Sequence, residues 1–328
     1  MRNPANAIAK RIIPGLVLGF FVFIGLALLG DLRDVGQSML RFRWEYFLAA
    51  IGLTLFNYIL RFIKWHYYLG LIGARLHWPE SLRLFVAGFP LAVTPGKVGE
   101  VLKGVWLNRA ANIPIGRGVS VVLAERISDG LAVMILSTLG VIAYPHYWPV
   151  FALIFGLLVV VVFLFQARPA AMFVLERIER IALFARAAHS LREFYDGSFT
   201  LFRPVSTLIA VSLGTVSWLG EGIGFYFILL GLGMPPSLEL MAAAVFVLSF
   251  STAIGAVSAL PGGLGAAEVS IAGMLTLILG MPPAEATSAT VLIRLATLWF
   301  GVALGLITWA FSADLLGMAA DRSAAAEI

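Results

Sequence analysis

Between Asp129 and Arg168 the chain contains no aspartate, glutamate, lysine or arginine. A domain folded in water needs charge on its surface, and a stretch of this length has none to offer. It suits the hydrocarbon of a bilayer, where about 20 apolar residues cross the core as one helix. Composition agrees: of 328 residues, 60% are hydrophobic and 12% charged, with a mean hydropathy of +0.95. The apolar runs are continuous rather than alternating, which argues against barrel strands. The expected fold class is therefore all-α, a polytopic helical membrane protein. There is no cysteine, which removes disulfides, thiol catalysis and cysteine-based metal sites. No basic stripe interleaves with aromatics in a soluble domain, so a nucleic-acid partner is not expected.

Taken in order, Arg2, Lys10 and Arg11 precede the uncharged run Ile12–Gly30. This reads as an uncleaved first span with a cytoplasmic N-terminus. Tyr46–Leu60 is a second span, closed by a basic and aromatic interface cluster of Arg61, Lys64, Trp65, His66 and Tyr67. Leu84–Gly96 is free of charge but only 13 residues long, about 20 Å as a helix against a core of about 30 Å. It fits a re-entrant hairpin, entering along Leu84–Val93, breaking at Pro95-Gly96 and leaving along Val98–Leu107. Gly118–Ala143 is a full span, and the turn Tyr144–Pro149, without lysine or arginine, should be external. Arg168–Arg203 carries six arginines and returns to the cytoplasm. Phe173, Ile178, Ile181 and Phe184 at helical spacing suggest helices on the membrane surface, and a solvated linker fits as well. Val205–Gly231 is the next span, Leu240–Leu260 and Ser270–Leu279 flank a second break, and Ala286–Ala310 closes the membrane part. The expected location is a bacterial-type inner membrane, with both termini cytoplasmic.

The second break, Pro261-Gly262-Gly263-Leu264-Gly265-Ala266-Ala267-Glu268, is foreign to a spanning helix. Proline removes a backbone donor and clashes with the preceding turn, and glycines admit positive φ. Irregular backbone at membrane depth survives only where it is buried in protein or lines a wet cavity. Pro95-Gly96-Lys97-Val98-Gly99-Glu100 repeats the pattern Pro-Gly-x-aliphatic-Gly, 166 positions earlier (95 to 261). Interrupted apolar segments in both halves point to a transporter site at a repeat interface. Residues 44–143 and 204–312 then form two repeats of opposite orientation within one membrane domain, joined by 144–203. The two hairpins would meet near mid-membrane.

Catalytic constellations are thin. His66, His77, His146 and His189 stand apart, so no metal site and no cofactor is expected. Pro95-Gly96-Lys97 lacks the rest of a P-loop. Buried charge carries more weight, because an ionisable group at membrane depth is functional by default. Glu125 and Asp129 share a helix face, with Arg126 about 100° away. Glu221 and Arg294 sit in other spans, free to pair with one another or with Glu268. Lys97, Glu100 and Lys103 follow the first break; Gly262, Gly263, Gly265 and Glu268 form the second. A half-helix starting after each break would aim free N–H groups at it, favouring an anion such as phosphate. Two bland readings stand beside this one: an internal salt-bridge cluster that pins helices, and lysines 97 and 103 snorkelling to the interface.

Four motifs carry a family resemblance: Arg61-Phe62-Ile63-Lys64-Trp65, Pro95-Gly96-Lys97-Val98-Gly99-Glu100 with Lys103, Glu125-Arg126-Ile127-Ser128-Asp129, and the Pro261–Glu268 stretch. In order and spacing they resemble the membrane region of lysylphosphatidylglycerol synthases, a flippase-like family, from about Ile12 to Ala310. The resemblance implies a lipid translocator whose partners are membrane phospholipids or glycolipids, with a lipid-synthesising enzyme as a further partner. Some relatives are linked to lysyl-lipid export, others to hopanoid or polyprenyl-glycolipid pathways. The chain has no counterpart of the soluble aminoacyl-transfer domain, so lysylation is not implied. An intramembrane enzyme or an accessory subunit is the alternative, and an oligomer is compatible with either.

Overall fold

The computed structural model describes residues 31–94, 99–143, 148–168 and 188–312, with residues 13–15, 17–19, 21, 22, 25, 146, 172, 173 and 177. About half of the expected first span Ile12–Gly30, most of the Phe173–Phe184 segment, and Pro95–Val98 of the first break, Lys97 included, lie outside them. A short amphipathic helix, α1 (Leu32–Arg41), is capped by the Asp31 carboxylate, which accepts from the Arg33 N–H. It leads into α2 (Trp44–Leu71), a helix of 28 residues.

Then come α3 (Trp78–Ala87), a 3-10 turn (Phe89–Val93), α4 (Leu102–Ala111), α5 (Ile115–Ala143) and α6 (Trp148–Gln166). Next are α7 (Ala188–Leu201), α8 (Pro204–Gly231), α9 (Leu238–Val257), the break, and α10 (Ala266–Leu279). The final segment runs without interruption from α11 (Pro283–Arg294) through one π-helical turn (Leu295–Trp299) into α12 (Phe300–Phe311). Six helical segments among the described residues are long and apolar enough to cross a membrane. A seventh, α5, has 29 residues but carries Arg117, Glu125, Arg126 and Asp129. The molecule is an all-α, multi-pass membrane protein. Its outer surface fits that solvent: Leu153 and Phe163 on α6 are 73% and 66% exposed, a pattern that only lipid makes favourable.

Two boundaries differ from expectation. The second span does not stop at Leu60. After Lys64 the chain continues Trp65-His66-Tyr67-Tyr68-Leu69 with no proline or glycine to break it, and the helix carries on to Leu71. Arg61, Lys64 and Trp65 are therefore inside the bundle, not at an interface; Trp65 and Lys64 are fully buried. The described end of the arginine-rich segment is no solvated linker. α7 packs along α5, with Leu201 and Ser198 buried and Arg117 bonded to Glu193 at 2.7 Å.

Two apolar cores result. One joins α9, α10 and α11 with the C-terminal halves of α5 and α8; the other joins α3, α4 and the C-terminal half of α2 with the N-terminal half of α5. The helices α2 and α8 pack along each other through small contacts such as Gly224 on Ala50, the close approach that membrane helices favour. The crossing of α4 and α5 is tighter still: a Cβ on Gly118 would lie 2.8 Å from the Gly104 Cα. The charged positions of α2, α5, α8 and α11 fall between the two cores.

Candidate functional site

The second break is built by local chemistry. α9 ends at Val257, Ala259 takes a left-handed φ of 55°, and Pro261 excludes helix continuation. Gly262, Gly263 and Gly265 follow with φ of 61°, 69° and 88°, values only glycine adopts freely. Glu268 then fastens the turn. One carboxylate oxygen accepts from the Gly265 N–H at 2.6 Å, and the other binds Arg294 Nε. Arg294 also donates from Nη2 to the Gly262 carbonyl at 2.8 Å. The start of α10 is therefore already occupied by its own carboxylate, so the expected anion site on free N–H groups is not offered there. At the first break, Thr94 Oγ1 donates to the Leu91 carbonyl and accepts from the Gly99 N–H at 2.9 Å.

The 3-10 turn ahead of the first break touches the second break. A Cβ on Gly262 would lie 3.2 Å from Val93 Cγ1, just ahead of Pro95 in sequence. The last helix holds the first break from behind. Trp309 Nε1 donates to the Ala87 carbonyl at 2.7 Å, satisfying one of the free carbonyls at the end of α3. Tyr58 donates to the Thr297 carbonyl in the π-helical turn at 2.8 Å.

Beside this junction lies a cavity of about 430 Å3, within the range of ligand sites in general. Its charged lining is Arg61, Glu100, Lys103, Arg126, Asp129, Glu221 and Arg294. Its apolar lining includes Ile154, Leu158, Leu248, Ile271 and Leu298, and both Gly262 and Gly263 reach it; Gly265 does not. Glu125, Glu268 and Lys64 stand behind the lining as partners. Lys103 binds Glu125 at 3.0 Å, with its ammonium 4.8 Å from the Trp65 ring centre. It is buried and does not snorkel. Arg126 binds Glu100 at 3.0 Å, and its side chain is 31% exposed. Asp129 holds two cations: Lys64, which also donates to Ser128 at 3.2 Å, and Arg61 at 3.4 Å. The facing carboxylates Glu125 and Asp129 thus serve different helices. Of the pairings open to Arg294, the structure has Glu268; Glu221 pairs with neither.

Sequence reasoning placed Arg61 and Lys64 at an interface and did not single out Tyr58 or Trp218, which also line the cavity. The signal was present: the apolar and aromatic run after Lys64 has no breaker, so the charges had to lie within a span.

The pairs repeat. Glu100–Arg126 and Glu268–Arg294 are both carboxylate–arginine bridges through Nε, and each member lies 168 positions before its counterpart (100 to 268, 126 to 294). A helix of 29 residues carries Arg126, and an uninterrupted 29-residue span carries Arg294, each 11 positions from its start (115 to 126, 283 to 294). Comparison with known proteins places the chain: residues 15–305 match the model of the lysylphosphatidylglycerol synthase TM region. The chain belongs to that family.

Relatives of the lysylphosphatidylglycerol synthase TM family include a UPF0104 membrane protein of Methanothermobacter thermautotrophicus, 26% identical over 246 residues, covering 70% of this chain and 71% of the relative. One from Pyrococcus horikoshii is 24% identical over 318 residues, covering 88% and 94%. Another from Methanocaldococcus jannaschii is 20% identical over 317 residues, covering 89% and 92%. The similarity to these two therefore runs nearly end to end. The family match, residues 15–305, takes in both breaks and all ten of the charged side chains around the cavity.

Proposed function

We propose that this protein moves the headgroup of a phospholipid or glycolipid between membrane leaflets. The observation that carries the reading is the cavity itself: at the junction of two broken segments, one wall is charged and the other apolar. A water-soluble solute has no use for the apolar wall, and a hydrocarbon has none for the charges. An amphiphile uses both, its headgroup crossing among the charges while its tails stay in the bilayer. Arg126, the most exposed of the paired cations around the cavity, is the first contact for a lipid phosphate. Arg294 provides the equivalent contact from the second half.

The matched bridges support an inverted repeat, with 44–143 and 204–312 as its halves and the two breaks as re-entrant hairpins. In that arrangement each half presents one arginine to one side of the membrane. The headgroup passes from Arg126 to Arg294, or the reverse, as the halves rock. The basic loops put both termini on the cytoplasmic side of an inner membrane. A lipid-synthesising enzyme that produces the headgroup is the natural neighbour.

The test is leaflet exchange of lipids labelled on an acyl chain, in vesicles containing the purified protein. Wild type, Arg126→Ala and Glu268→Gln are compared with empty vesicles. Exchange that depends on both residues supports translocation at the junction. Exchange that persists in both variants overturns the assignment. If no phospholipid, polyprenyl lipid or hopanoid moves, an enzymatic or accessory role replaces it.

A further inference from the structure

The ion pairs around the cavity leave one carboxylate, Glu221, unpaired and one cation, Arg61, held only by a shared partner. Three carboxylates, Glu100, Glu125 and Glu268, hold one cation each and Asp129 holds two. Glu221 is the exception among the described residues: it lines the cavity, is 5% exposed, and has neither an ion pair nor a hydrogen bond. On the other side, Asp129 is shared between two cations. Lys64 is the closer and also has Ser128. Arg61 stands at 3.4 Å, its Nε makes no hydrogen bond, and its guanidinium lies 5.8 Å from the Trp218 ring centre.

These two groups occupy one position in two matched helices. Arg61 lies in α2 and Glu221 in α8, both of 28 residues, each 17 positions from the helix start (44 to 61, 204 to 221). Three residues earlier stand Tyr58 and Trp218, again matched (58 to 218). All four line the cavity. The repeat that matches arginine with arginine at 126 and 294 here matches an arginine with a glutamate. Each is placed beside an aromatic ring.

Glu221 has no bonded partner and Arg61 shares its one carboxylate with Lys64, so a ligand that completes this site has to answer both signs. An anionic headgroup would satisfy Arg61 and be repelled by Glu221; a cationic one would do the reverse. We propose that the cavity takes a zwitterionic headgroup, a phosphate joined to an amine, with the phosphate on Arg61 and the ammonium on Glu221. Charge-assisted hydrogen bonds hold both ends, and the faces of Tyr58 and Trp218 favour the cation. The proposal names the substrate for the translocation reading, but recognition is measurable without movement.

Two arms separate them. In the first, purified full-length protein in detergent is titrated calorimetrically with phosphoethanolamine and with glycerol 1-phosphate. In the second, acyl-labelled phosphatidylethanolamine and phosphatidylglycerol, with headgroups unmodified, are followed between leaflets in vesicles of equal parts phosphatidylcholine and phosphatidylglycerol. Phosphoethanolamine is expected to bind roughly tenfold more tightly, about what one charge-assisted contact contributes, and phosphatidylethanolamine to exchange faster. Glu221→Gln should erase both preferences, while Glu221→Asp, which keeps the charge, should retain part of them and controls for folding. Equal or tighter binding of glycerol 1-phosphate, or a preference unchanged in Glu221→Gln, overturns the proposal whatever the lipids do. Preference in solution without exchange of either lipid upholds zwitterion recognition and overturns phosphatidylethanolamine as the lipid moved.

Discussion

Glu268 caps the N-terminus of α10 with one oxygen and holds Arg294 with the other, so a substitution there opens the turn and strands a buried cation. Removing one partner of a buried pair costs about 3–5 kcal/mol, whereas replacing both by apolar groups of similar size can be nearly neutral. Glu268→Gln is therefore expected to lower the thermal midpoint sharply, and the double variant Glu268→Gln, Arg294→Met to recover much of the loss, as read by thermal unfolding in detergent. At Asp129 the order is set by sharing. Lys64→Met leaves the carboxylate with Arg61, while Asp129→Asn leaves two cations without a counter-charge. The second should be the more destabilising, by about 1–3 kcal/mol, the cost of an added unsatisfied buried group; the same unfolding measurement checks it. The assignment of Arg61 and Lys64 to an interface failed at this scale, because a lysine near an aromatic reads alike in sequence whether it faces lipid headgroups or a buried aspartate.

The helices are placed by where side chains are missing. At the α4–α5 crossing, Gly118→Ala would set a Cβ 2.8 Å from the Gly104 Cα and 3.2 Å from its carbonyl oxygen, so backbone has to move. Lys103 adjoins Gly104, and its bridge to Glu125 depends on this approach. Overpacking of this kind costs about 1–3 kcal/mol. Gly273 on α10 offers the contrast, with nothing near its missing Cβ; Gly273→Ala should be neutral or stabilising by up to about 1 kcal/mol through helix propensity. Thermal midpoints of the two variants should move in opposite directions. The breaks themselves were legible, since proline and positive-φ glycines are local instructions. That the first break is backed by Trp309, from 222 residues later in the chain, was not.

For the whole molecule, the proposed repeat would make Arg126 and Arg294 equivalent in role, with neither dispensable. Arg126→Ala and Arg294→Ala should slow lipid exchange to a comparable extent. Losing one charge-assisted hydrogen bond, about 1.5–3 kcal/mol, corresponds to roughly ten- to a hundredfold if it is felt at the barrier. Initial exchange rates in matched vesicles check this, and a loss confined to one of the two would argue against an equivalent second station.

What the sequence determined on its own is what depends on neighbours along the chain. Charge-free runs dictate helices in a bilayer, Pro-Gly clusters dictate where those helices stop, and charges within a span dictate that something polar faces them. Partners were a different matter. Arg61 meets Asp129 across 68 positions (61 to 129) and Arg294 meets Glu268 across 26 (268 to 294), while Glu221 forms no ion pair. Which carboxylate answers which cation depends on the rotation and depth at which α2, α5, α8 and α11 pack. Those are set by small-residue contacts and core filling that no local pattern records, so only the tertiary structure could leave one acid unpaired beside the cavity.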